Sequence, residues 1–150
     1  MNAMNDMRVG VDGDVAEFCR AVGGGRAFGW EGLGGLLEWY DRQGTLVVAR
    51  DGDGKVIGVG MAWRTTEARV RELVRDGRTD FLDEVIADGD ALRLGDWACA
   101  GRAGLLGLVA EVTARWPDWP RLKIFTGRRG RLARVSHKAI WRLISERRLI

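Results

Sequence analysis

Asp96, Cys99 and His137 are the side chains whose types and settings suit acid–base or nucleophilic chemistry. Asp96 lies in an apolar stretch, Ala91-Leu92-Arg93-Leu94-Gly95-Asp96-Trp97-Ala98-Cys99-Ala100. A carboxylate buried in such a strand holds its proton to higher pH and becomes a useful general base. The same residue would act structurally by capping the loop that follows, or by pairing with Arg93 or Arg102. Cys99, near the same strand end, becomes a nucleophile if Arg102 or a helix N-terminus stabilises its thiolate, and is otherwise a packed thiol. His137, the only histidine, could serve as general acid or base, although a lone surface histidine is the commoner outcome. No Ser-His-Asp set can be assembled from spacing. Cys19 and Cys99 lack metal-ligand spacing, and one histidine does not complete a zinc site, so no metal is expected.

The elements that must position these residues can be read from periodicity and punctuation. Asp14 is a candidate cap for a helix over 15–22, stopped by Gly23-Gly24-Gly25. A second helix is predicted over 30–41, with Trp30, Leu33, Leu36, Leu37 and Tyr40 on one face and Gly44 at its end. A β-rich run over 45–50, the turn Asp51-Gly52-Asp53-Gly54 and a returning strand over 55–64 form the clearest signal, a hairpin. Residues 65–89 read as helix broken near Gly77, with Phe81, Leu82, Val85 and Ile86 on its second half. A third strand over 91–100, a glycine loop Gly101-Arg102-Ala103-Gly104 and an apolar helix over 105–116 follow. Pro117 and Pro120 end that helix. A fourth strand over 121–126, a basic turn over 127–131, an extended run over 132–136 and a helix over 137–149 complete the chain. The strand–helix–strand crossover makes the third and fourth strands parallel neighbours. The expectation is a single α/β (α+β) domain over 1–150, with a mixed, mostly antiparallel sheet and helices on both faces.

This order resembles the GNAT acyltransferase superfamily. Two helices precede the hairpin Val47-Val48-Ala49-Arg50 … Lys55-Val56-Ile57-Gly58, and the 92–100 strand, glycine loop, apolar helix and strand follow. The resemblance implies acetyl-CoA or another acyl-CoA as donor and an amine acceptor, either a small molecule or a protein lysine. In that superfamily the glycine loop reads Arg or Gln, two residues, Gly, one residue, then Gly or Ala. Its amides and the next helix N-terminus cradle the pyrophosphate. Here Arg102-Ala103-Gly104-Leu105-Leu106-Gly107 carries those residues at a different spacing. The implied donor contacts are Ala98, Gly101, Arg102, Ala103, Gly104 and Leu105, with Asp96 assisting deprotonation of the amine. The other reading of the stretch is a tight strand-to-helix turn with Gly107 packed against the sheet. The run from Val56 to Trp63, a helical insert and Asp96-Trp97 also resemble the toxin-activating lysine acyltransferases of RTX systems. Those use an acyl carrier protein and place a functional aspartate before a tryptophan, here Asp96. Their catalytic histidine precedes the hairpin, where this chain has none.

Charge supplies a second line of reasoning. Residues 121–150 hold ten Lys or Arg and one acid, Glu146, a net +9; the chain carries +3, which leaves −6 for residues 1–120. Arg128, Arg129, Arg131 and Arg134, with Lys123 and Lys138, would suit an acidic protein or nucleic acid, or form a solvated face. A non-catalytic binding protein on the same scaffold is therefore the alternative, with a phage or mobile-element accessory protein as a third reading. A hydrophobic fraction of 46% excludes a disordered chain. No apolar run reaches the ~20 residues of a membrane span. No signal peptide is visible, so the expected compartment is the cytoplasm, with both thiols reduced. Seven tryptophans and apolar segments make a homodimer worth testing.

Overall fold

A hairpin and a strand–helix–strand crossover build the sheet of this protein. The computed structural model describes residues 10–22, 31–78, 84–128, 131–140 and 142. In chain order the elements are α1 (Gly13–Val22), α2 (Leu33–Arg42), β1 (Leu46–Arg50), β2 (Val56–Thr65), α3 (Glu67–Arg75), β3 (Ala91–Cys99), α4 (Gly101–Arg115), a 3₁₀ turn (Trp119–Arg121), β4 (Lys123–Arg128) and β5 (Arg131–Val135). The five strands form one mixed sheet in the order β1-β2-β3-β4-β5. β1–β2 and β4–β5 are antiparallel and β3–β4 is parallel, as the crossover requires. The fold is thus α+β. No helix among the described residues is long and apolar enough to cross a membrane.

The chain divides into two compact units, 1–61 with 96–116, and 62–95 with 117–150. In the first, the β1–β2 hairpin turns where expected. The Asp51 carboxylate accepts from the amides of Asp53 and Lys55, and Gly54 takes φ +83°. α2 begins three residues later than predicted and closes at Gly44 (φ +72°). There Thr45 N–H donates to Tyr40 O and Gly44 N–H to Asp41 O, the paired bonds of a glycine C-cap. Leu33 and Leu37 are fully buried, whereas Trp30 lies outside the described residues. Asp14 sits inside the first turn of α1, and its carboxylate engages Arg50 at 2.8 Å. Arg115, at the end of α4, donates to Gly44 O and Leu46 O and fastens that helix to the α2–β1 connection. Burial holds its pKa below the ordinary arginine value.

In the second unit, Thr66 caps α3 by accepting from Arg69 N–H. Gly77 (φ +68°) ends the helix with the same paired bonds, Arg78 N–H to Leu73 O and Gly77 N–H to Val74 O. The helix predicted to resume toward Ile86 is absent over 84–86, which have no regular structure, and Val85 is exposed. Phe81 and Leu82 lie outside the described residues. Val70, Ala91 and Phe125 form a local core. β4 and β5 pair antiparallel, with Arg128 opposite Arg131. Residues 137–140 are helical behind a cap in which Ser136 Oγ accepts from Ala139 N–H.

Candidate functional site

The β3–α4 junction, where sequence reasoning placed the site, is the tight strand-to-helix turn of the other reading, not a glycine loop. Residues 101–104 are not a loop: they are the first turn of α4. Ala100 N–H donates to Ile57 O at 2.8 Å, closing β3 against β2. Gly101 then takes φ +62°, the left-handed conformation that glycine reaches at least cost, so one residue turns strand into helix. Ala100 provides no side-chain cap. The N–H groups of Gly101, Arg102 and Ala103 are those a helix leaves without intrahelical acceptors, and all three residues are exposed. Helix geometry therefore leaves three amides without helical acceptors at the positive end of α4, on an exposed turn that includes Arg102.

The other candidates fall elsewhere. Gly104 is buried; its N–H bonds Ala100 O at 3.3 Å, and a Cβ there would stand 2.1 Å from Ile57 O. A Cβ at Gly107 would meet the Ala49 Cβ at 2.9 Å, and one at Gly58 the Leu108 side chain at 2.8 Å. Spacing that resembled a phosphate motif thus also welds α4 to β1 and β2. Leu105 is half-buried within the helix, and Ala98 is 3% exposed on β3. Amides of Gly104 and Leu105 lie beyond the three a helix start leaves open.

Asp96 is exposed, which overturns the burial expected for it. It makes no ion pair with another described residue. Its neighbour Trp97 takes the inward place: the indole lies over Gly60, where a Cβ would be 2.7 Å from the ring, and Nε1 donates to Met61 O at 3.1 Å. Gly60 makes room for an indole. Farther back along β3, the parallel ladder with β4 holds for four pairs, Ala91↔Lys123 to Leu94↔Thr126. It stops there, although β3 runs on to Cys99 and β4 to Arg128.

The remaining titratable candidates are spread over the fold. Cys99 is half-buried, and burial pushes the Cys19 thiol up to about 11. The His137 Nε2 lies 3.2 Å from Trp119 O, and its ring tilts against the Trp119 indole at 5.7 Å. Among the basic residues, Lys123 pairs with Glu67, whereas Arg121, Arg134, Lys138 and Arg142 are exposed. Arg129 lies outside the described residues. No cluster of three or more His, Cys, Asp or Glu among the described residues could hold a metal. Compared with protein families, with curated proteins and with solved structures, the chain matches none.

Proposed function

We propose that this protein is an acyltransferase of GNAT-like construction, moving an acyl group from a phosphopantetheine thioester, on CoA or on a carrier protein, to an amine. The observation that carries this reading is the uncapped first turn of α4. The Gly101, Arg102 and Ala103 amides and the Arg102 side chain suit a phosphate group, since a helix start concentrates N–H donors and positive potential. With no loop ahead of the helix, three amides match one phosphate better than an extended pyrophosphate. The early end of the β3–β4 ladder supports the reading as well, because it leaves backbone groups of β3 beyond Leu94 without partners from β4. In the reaction, the amine nitrogen attacks the thioester carbonyl, the C–S bond breaks, and the departing thiolate takes a proton. Asp96, exposed on the strand leading to α4, would remove the ammonium proton before attack, directly or through water.

A titration with acetyl-CoA and, separately, with an acylated carrier protein tests this. Binding of either that weakens at least tenfold in Arg102→Ala supports the reading. No binding of either donor contradicts it. Gly104 cannot serve as a binding probe, because a side chain there would displace α4.

The second reading, a non-catalytic binding protein for nucleic acid or an acidic partner, is favoured by the exposed Arg134, Lys138 and Arg142 after β4. Retention on a polyanion column that falls steeply with salt, without donor binding, would select it.

A further inference from the structure

Trp63 Nε1 and Thr65 Oγ1 are buried without a hydrogen-bond partner, although their residues are only 3% and 1% exposed. They stand two apart on β2 and therefore on one face of the strand. Arg93, 3% exposed on β3, lays its guanidinium over the Trp63 ring at 4.8 Å. Buried polar groups are nearly always satisfied, and an isolated orphan costs about 1–3 kcal/mol. Two neighbouring orphans sharing one face beside a buried cation are harder to treat as separate accidents.

The chemistry of the pair indicates what is missing. An indole N–H can only donate, and a threonine hydroxyl can donate as well as accept. The absent partner is therefore an acceptor, and a group offering more than one oxygen serves both donors. The charge of Arg93 favours an anion over a neutral acceptor such as water. Arg93 contributes only its charge and its place over the ring, since it has further contacts of its own. We infer that Trp63 and Thr65, under Arg93, form a binding site for a small oxyanion, a carboxylate or a phosphate group. Entry requires an adjoining segment to open. Residues 84–90 have no regular structure and are tied to the end of β2 by two bonds, Ile86 N–H to Arg64 O and Arg64 Nε to Gly89 O.

The test is thermal unfolding of the full chain in sodium acetate, sodium phosphate or sodium chloride at matched ionic strength and pH. Acetate or phosphate is expected to raise the melting temperature by roughly 4 °C over chloride at about ten times its dissociation constant. The anion with the lower half-saturation identifies the class. Thr65→Val keeps the shape while removing one donor, so it should melt in chloride no lower than the wild type and lose the anion-dependent rise. Trp63→Phe should lose the rise too. Equal melting in all three salts overturns the site, as does a rise that survives in Thr65→Val.

Discussion

Each of the two units is held together internally by its own mix of contacts. In the first, α4 meets the strands at glycines: the Gly104 backbone against Ile57 O, Gly107 against the Ala49 side chain, Gly58 under the Leu108 side chain. At Gly104 the contact leaves no room for adjustment, because a methyl group would have to occupy space already filled by main chain. The second has one such contact, Gly89 against Thr65 O, but there long polar side chains also span larger separations. Arg64 reaches Gly89 O at 2.7 Å and Asp118 at 2.9 Å, Lys123 pairs with Glu67, and Arg93 stacks on Trp63. Glycine contact fixes a helix start rigidly. Charged straps hold a connection that has no regular structure. The candidate phosphate site lies in the rigid unit and the buried orphan donors in the strapped one.

The sharpest way to break this contrast is Gly104→Ala. Its Cβ would lie 2.1 Å from Ile57 O, and neither backbone can yield without moving α4. A loss of about 3 kcal/mol or more in urea unfolding is expected. A near-neutral result would show that α4 is not seated by backbone contact. Arg64→Met should cost less, about 2 kcal/mol, since it removes a partly buried ion pair and leaves Gly89 O without its donor. Its signature should be local, with faster amide exchange at Ile86 and Gly89 and little change in α4.

The smallest effect concerns pH. Hydrogen bonding to Lys123 holds the Glu67 carboxyl below its ordinary 4.5, and Arg50 does the same to Asp14 relative to 3.8. For a depressed carboxyl the stabilisation is complete above the ordinary value and disappears as pH falls through the lower, folded one. Melting temperature should therefore decline between about pH 5 and pH 2, and decline less in Glu67→Gln. Identical profiles would deny the Glu67–Lys123 bond a role in stability. Asp14 is exposed and Glu67 is half-buried beside solvent, so the shift should be modest.

What could be read from the sequence follows the same division between local and distant causes. The hairpin was legible because its turn is made locally, by Asp51 bonds that span two and four residues and by the positive φ of Gly54. The ends of α2 and α3 were legible because Gly44 and Gly77 can adopt the positive φ of a helix stop. The junction at 101–104 was misread as a loop because two glycines suggest one, whereas Gly101 alone makes the turn and Gly104 serves packing. Alternate glycines at 58 and 60, taken with glycines three apart at 104 and 107, were the available signal for strand–helix contact. Exposure of Asp96 was hidden by its apolar neighbours: Trp97 takes the inward place, and that depends on Gly60, 37 positions earlier. The Arg115 bonds to Gly44 O and Leu46 O, and the orphan donors at Trp63 and Thr65, arise from tertiary placement, which no local pattern encodes.

Everything proposed about function depends on whether the start of α4 receives a phosphate. The direct measurement is a backbone amide chemical-shift titration of the full chain with acetyl-CoA and with an acylated carrier protein. The account predicts that the Gly101, Arg102 and Ala103 amides move together and saturate with one of these donors while the distant Gly54 amide stays fixed. Unmoved 101–103 amides with both donors present in excess would contradict it.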